Sequence, residues 1–260
     1  MSAAVPIEQW PDRLAAALRS CAVLRRATVI RETDSTQDAA RRMDAKLGDV
    51  IIAGRQSAGR GRWGRTWTDD TGQGLAVSLV VNARDLGSLA VATAIGAARA
   101  AERMLGRAVG IKWPNDIVID GRKLAGILIE QTDTRAIVGI GMNIAQSAWP
   151  AHLQDLAVSV AQLGHTIERV EALEILLIAV DAALQLSDDE VKREFASRDV
   201  LRGTLACFRH AGRLIRGEVV SIDPLQGVCV RDAEGERWMP AASTTVVTHQ
   251  DSRADFAETP

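Results

Sequence analysis

Ile117-Val118-Ile119-Asp120-Gly121-Arg122-Lys123-Leu124-Ala125-Gly126-Ile127-Leu128-Ile129-Glu130 holds two apolar runs split by a turn dipeptide. Asp-Gly readily takes the positive φ values of a tight hairpin, so residues 117–119 and 125–130 read as antiparallel neighbours. A third strand-like piece, residues 136–144, follows closely. In Val138-Gly139-Ile140-Gly141-Met142-Asn143-Ile144 glycine alternates with apolar residues, and strand glycines mark close approach of a ligand or another backbone. Strands that follow one another with few helices between them predict an α+β fold with a mixed sheet.

Working outward, Val50-Ile51-Ile52-Ala53 reads as a buried strand and residues 75–81 as another. Helical spacing covers residues 7–19, with Ile7, Trp10, Leu14 and Leu18 on one face. Asp34-Ser35-Thr36 offers N-caps for a helix over 37–46, and a long helix is predicted over 86–105. A helical region over 168–195 closes the large unit. Beyond residue 201 come short β-prone pieces (213–222, 227–232, 236–239) with turns at Asp223-Pro224 and Glu234-Gly235, predicting a small β-barrel. The expected division is 1–200, 201–250 and a polar, frayed tail at 251–260.

Nearly half of the 260 residues are apolar, enough for a sizeable core. A net charge of −2 argues against a general nucleic-acid binder, so basic surface must be local. Cys21, Cys207 and Cys229 show no CxxC spacing, and an odd number suits a reducing cytosol. His152, His165, His210 and His249 are scattered, and no metal-ligand set is assigned. The start lacks a signal peptide, and the 86–105 helix carries Arg99, Glu102 and Arg103, which disfavours a membrane span. A soluble, cytoplasmic protein is expected.

Chemistry concentrates in three places. Gly59-Arg60-Gly61-Arg62-Trp63-Gly64-Arg65-Thr66-Trp67 combines flexible glycines with guanidinium forks suited to phosphate or carboxylate oxygens. Lys112-Trp113-Pro114-Asn115-Asp116 offers a point charge, an amide and an acid on backbone that Trp-Pro keeps extended; read alone, it is equally a solvated loop. Lys123, at the mouth of an apolar strand, either points into a cavity or is an ordinary surface lysine. No GxxxxGK[ST] loop is present, and the 139–143 glycines open no helix, so neither a P-loop nor a Rossmann fingerprint applies.

Taken together, these blocks occur in a recognisable order with Glu32-Thr33-Asp34-Ser35-Thr36-Gln37, Gln56-Ser57-Ala58 and Gly139-Ile140-Gly141-Met142-Asn143. Over roughly residues 28 to 145 the chain closely resembles the biotin protein ligases, and the small terminal β-unit is similar as well. The resemblance implies a catalytic domain like that of class II aminoacyl-tRNA synthetases followed by an SH3-like barrel. It implies ATP-dependent activation of biotin to biotinyl-5′-AMP, with Mg2+. The biotinyl group then passes to a lysine of a biotin carboxyl carrier domain of an acyl-CoA carboxylase.

By the same resemblance Ser35, Thr36, Gln37 and Gln56 contact biotin, with Gln37 standing where asparagine is usual. Arg60, Gly61 and Arg62 close on biotin and the phosphates. Lys123 meets the biotin carboxylate and acyl phosphate, and Arg62, Lys123, Arg60 and Lys112 form the catalytic set. Trp67 stacks on adenine, while Arg65, Asn115, Asp116 and Asn143 line the nucleotide side; Asp116 is a candidate indirect Mg2+ ligand, and Trp63 receives no role. Too few residues precede Thr28 for a winged helix-turn-helix, so no DNA binding is expected. A homodimer is compatible with the family. The competing readings are a lipoate–protein ligase and a non-enzymatic biotin-responsive regulator; the intact Lys123 and arginine loop disfavour the second.

Overall fold

A computed structural model describes residues 5–69, 72–83, 86–131 and 134–247, without the side chain of Trp63. The tail expected at 251–260 lies outside the described residues. A 3-10 turn at Ile7–Gln9 leads into α1 (Trp10–Leu18), β1 (Arg26–Thr33), α2 (Thr36–Arg42) and β2 (Asp49–Gln56). The glycine/arginine stretch forms a small ribbon of β3 (Gly59–Arg60) and β4 (Thr66–Trp67) around a 3-10 turn at Arg62–Gly64. Then follow β5 (Leu75–Asn82), α3 (Leu86–Leu105), β6 (Gly110–Lys112), β7 (Asp116–Ile119), β8 (Arg122–Gln131) and β9 (Arg135–Met142). Helices α4 (Arg169–Ala183) and α5 (Asp188–Ala196) precede β10 (Leu205–His210), β11 (Arg213–Asp223), β12 (Gly227–Asp232), β13 (Gly235–Pro240) and β14 (Thr244–Val247).

The main sheet runs β1-β2-β5-β9-β8-β7-β6, with β1 parallel to β2 and every other pair antiparallel. The mixed sheet and the 120–121 hairpin agree with the sequence reading. Strand alternation gives the sheet two unlike faces. Leu75, Val77 and Leu79 of β5, Val138, Ile140 and Met142 of β9, and Ala125 and Ile127 of β8 belong to one large core with α1, α3 and α4. The alanine-rich composition of α3 serves that packing: a Cβ on Gly96 would stand 2.6 Å from Cα of Val180 in α4.

The opposite face carries small residues at the alternate positions: Ala76 and Ser78 on β5, Gly139 and Gly141 on β9, Gly126 on β8. Registers align Ser78 with Gly139, Ala76 with Gly141, and Gly126 with Gly141, so these residues form one shallow floor. Helix α2 closes one end of it over Ile51, Val80 and Ile137.

Several expectations are corrected. The first helix begins only at Trp10, after the 3-10 turn and with a proline in its first turn, where the missing N–H costs nothing. The helix expected to reach residue 46 stops at Arg42, and Asp44 takes φ 46°. The 168–195 helix is two helices, because Ser187 caps α5: its hydroxyl accepts from Glu190 N, while Ser187 N donates to Glu190 Oε2 at 2.8 Å. Strands β1, β3, β4, β6, β10 and β14 are additional, each short or half-exposed and so without a continuous apolar run.

The five-stranded antiparallel sheet runs β13-β12-β11-β10-β14, which suits an SH3-like barrel. Its Phe208, Val219, Val230 and Met239 belong to the same core as the main sheet. Two polar contacts tie the units: Trp113 Nε1 donates to Pro224 O at 3.0 Å, and Lys192 pairs with Asp223 at 2.8 Å. No helix among the described residues is long and apolar enough to cross a membrane.

Candidate active site

The small-residue floor opens into a cavity of about 1200 Å3. Ser35, Thr36, Gln37 and Gln56 line it at one end; Arg60, Gly61, Arg62, Arg65 and Trp67 line the ribbon side. Lys112, Asn115, Asp116, Lys123 and Asn143 complete the wall. Every residue singled out from the sequence therefore borders one space, although they span more than a hundred positions.

At the buried end, Thr36 begins α2 and its N–H donates to Gln56 Oε1 at 2.7 Å, with its hydroxyl on the same oxygen at 3.1 Å. Ser78 donates to the Thr36 hydroxyl at 2.8 Å. Ser35 is the N-cap residue of α2, yet its side chain makes no capping bond. Gln37 donates to the carbonyls of Leu128 and Ile137, both at 3.4 Å, bridging β8 and β9. Gly139 makes room for it: a Cβ there would stand 3.0 Å from Gln37 Cδ.

Glycines fit the other site side chains in the same way. A Cβ on Gly141 would meet the Trp67 indole at 2.3 Å, and one on Gly126 would meet Lys123 Nζ at 2.7 Å. The alternation of glycine with apolar residues thus puts bulk on the core face and leaves the site face bare. Lys123 Nζ pairs with Asp116 Oδ1 at 2.6 Å and sits 5.8 Å from the Trp67 ring centroid, within cation–π range. Asn143 holds the base of this arrangement by donating to Lys123 O at 3.2 Å and Val158 O at 3.1 Å.

Arg62 points inward and donates to Asn115 Oδ1 at 3.0 Å, while Asn115 Nδ2 donates to Ile127 O at 2.7 Å. Burial lowers the Arg62 pKa, opposed by the negative charge of Asp116; the guanidinium stays charged and is only partly hydrated. Arg60 is different. Its guanidinium pairs with Asp38 and Glu130, both at 3.0 Å, and Arg41 pairs with the same two carboxylates. It stands at the cavity rim with its charge already matched.

Two contributors escaped the sequence reading. Ser78 lies inside an apolar strand, and only its alternate-position partnership with Ala76 hinted that this face is not core. The second sheet also lends Leu205, Cys207, Leu214 and Arg216 to the cavity mouth, which no local signal in the sequence encodes.

The model of the Biotin/lipoate A/B protein ligase family matches residues 27–146. A biotin--[acetyl-CoA-carboxylase] ligase of Paracoccus denitrificans is 30% identical over 236 residues, covering 82% of this chain and 98% of that protein. The chain belongs to the biotin protein ligase family. A biotin protein ligase from Aquifex aeolicus, solved in complex with biotin and ATP, is 25% identical with a TM-score of 0.77, covering 85% of this chain and 98% of that one. The bifunctional ligase/repressor BirA of Bacillus spizizenii is 32% identical over 165 residues, which are 59% of this chain and 51% of that protein. The chain spans about half the length of the BirA relatives it matches. The mixed-sheet fold with a second small β-unit is the family's fold.

Proposed function

We propose that the chain joins biotin to ATP as biotinyl-5′-AMP and transfers the biotinyl group to a lysine of a biotin carboxyl carrier domain of an acyl-CoA carboxylase. The observation that carries this reading is that one cavity gathers the hydroxyls and amides of Ser35, Thr36, Gln37 and Gln56 together with the cations Arg62, Lys112 and Lys123. Such a lining offers partners for a polar head group and for the phosphates of a nucleotide. In this reading residues 1–200 form the catalytic unit, 201–250 form the SH3-like unit, and the reaction takes place in the cytoplasm.

In the first step a biotin carboxylate oxygen attacks the α-phosphorus, and the bond from that phosphorus to the bridging oxygen breaks to release pyrophosphate. Negative charge gathers on the non-bridging oxygens, where Lys123 and the incompletely hydrated Arg62 act as preorganised cations. Asp116 holds the ammonium group in place and gives it up as the carboxylate arrives. In the second step a carrier lysine amine attacks the acyl carbon; the bond to AMP breaks and the amine loses a proton. The adenylate hydrolyses readily in water, so the Gly/Arg ribbon over the cavity has a protective role. Asp116, which borders the cavity beside Lys123, is the residue that would hold Mg2+ indirectly, and the ion would supply screening of the phosphate charge there.

The test is pyrophosphate release from MgATP with biotin, with lipoate and with neither, followed by transfer to a carrier domain. Release with biotin alone supports the reading; release with lipoate, or with neither, overturns it.

A further inference from the structure

The loop between β6 and β7, Trp113-Pro114-Asn115, helps to hold both cations given the charge-stabilising role. Asn115 accepts the Arg62 guanidinium at 3.0 Å, and Asp116, which opens β7, pairs with Lys123 at 2.6 Å. A shift of this loop therefore moves Arg62 and Lys123 together. Toward the cavity it is fastened to β8: Asn115 Nδ2 donates to Ile127 O at 2.7 Å, and Ile127 N donates to Asn115 O at 3.0 Å. Its other fastening leaves the main sheet altogether. Trp113 is only 2% exposed, and its indole N–H donates at 3.0 Å to Pro224 O in the turn joining β11 to β12. That turn is built to hold a carbonyl still. Asp223 Oδ1 accepts the backbone N–H groups of Leu225 at 3.0 Å and Gln226 at 3.1 Å, closing an Asx turn around Pro224, whose ring fixes φ. Ala241 N donates to Gln226 O at 2.8 Å and pins the far side. Residues 223–226 do not border the cavity.

We propose that Trp113 is a positioning residue through which the 223–226 turn aims Arg62 and Lys123 at the reacting phosphate. The inference rests on the proposed function and adds a residue to it. An indole N–H only donates and a carbonyl only accepts, so this buried bond has one direction. Its loss leaves the Pro224 carbonyl without its indole partner and frees the loop on the side away from β8. The consequence falls on the activation step, since a cation displaced by a fraction of an ångström from the developing charge loses much of its effect. Biotin affinity is spared, because Thr36 and Gln56, from α2 and β2, hold each other in place by their own bonds.

The experiment measures pyrophosphate release from MgATP with biotin, and biotin affinity by calorimetry. Trp113→Phe keeps a buried ring but removes the donor; kcat should fall about tenfold while biotin affinity stays within about threefold of wild type. Asp223→Ala, away from the cavity, should loosen the turn and slow release about fivefold. Asp223→Asn, whose amide oxygen still accepts both N–H groups, should restore the wild-type rate, because the partly exposed Lys192 pair contributes little. If the turn acts through Trp113, the double variant Trp113→Phe with Asp223→Ala loses about tenfold, whereas independent effects multiply to about fiftyfold. A merely structural tryptophan would lower rate and biotin affinity together. That outcome, wild-type turnover in Trp113→Phe or Asp223→Ala, no recovery in Asp223→Asn, or multiplied losses in the double variant overturns the inference and leaves the proposed function standing. Absence of pyrophosphate release from the wild type with biotin overturns both. Should Trp113→Phe not fold, the rate and affinity of Asp223→Ala, with recovery in Asp223→Asn, decide.

Discussion

The indole of Trp67 lies against Gly141: a Cβ on that glycine would stand 2.3 Å from ring atom Cε2, far inside contact distance. Gly141 pairs with Gly126 across β8 and β9, and Gly126 in turn leaves room for Lys123. Two neighbouring absences of side chain thus seat the aromatic and cationic walls of the site. Gly141→Ala should evict the indole, lowering kcat/KM for biotin by about tenfold or more if overpacking costs 1–3 kcal/mol. Circular dichroism should show the fold unchanged; wild-type kinetics in this variant would mean the indole is not part of the working site.

Lys123 and Asp116 are 2.6 Å apart, but their roles in the proposed reaction differ. Lys123→Ala should slow pyrophosphate release by roughly a hundredfold or more, as loss of one charge-stabilising donor does. Asp116→Asn should cost less, about tenfold, because it loosens the ammonium group without removing it. Single-turnover assays rank the two, and equal losses would contradict the assignment of charge stabilisation to Lys123.

Asp181, buried on α4, should matter for stability and not for turnover. Its carboxylate accepts the backbone N–H groups of Ala22, Val23 and Leu24, each at 2.8 Å, and the Gln185 amide at 3.1 Å. Asp181→Ala strands these donors and should destabilise the chain by about 3 kcal/mol in urea titration. Activity per folded molecule should stay the same.

Cys21 adjoins that loop. Burial, with the nearby negative charge of Asp181, pushes its thiol up to about 11. The native state therefore holds the proton through a range where the unfolded chain has lost it. The stabilisation is complete below the ordinary thiol pKa and is lost as pH rises toward 11. Thermal unfolding followed between pH 8 and pH 11 should show a decline that Cys21→Ala flattens, and in the native state at pH 8 a thiol reagent should reach Cys207 and Cys229 well before Cys21. Prompt labelling of all three would contradict the burial argument.

Much of this molecule is written locally. The hairpin at Asp120-Gly121, the apolar runs of β5 and β8, the glycine–apolar alternation of β9 and the length of α3 each depend on neighbours a few residues away, where periodicity is informative. Strand β1 does not show itself, because it is half-exposed and itself contains Arg26, Arg31 and Glu32, so pairing with β2 and not composition makes it a strand. The split between α4 and α5 was readable in Ser187 and Glu190, a capping pair inside an otherwise helical stretch.

The sequence by itself determined the inventory of the site: which cations, amides, hydroxyls and glycines are present, and the strands on which many of them ride. Only the tertiary structure decided how each is used. It turned Arg62 inward and matched Arg60 to Asp38 and Glu130 at the rim; it joined Ser78 to Thr36, and brought Cys207 and Arg216 of the second sheet to the same opening. The reason is physical. Residue type and short-range spacing fix what a segment can form, but the direction of a hydrogen bond or the partner of a charge depends on groups dozens of residues away. Those groups meet only when the sheet register is set.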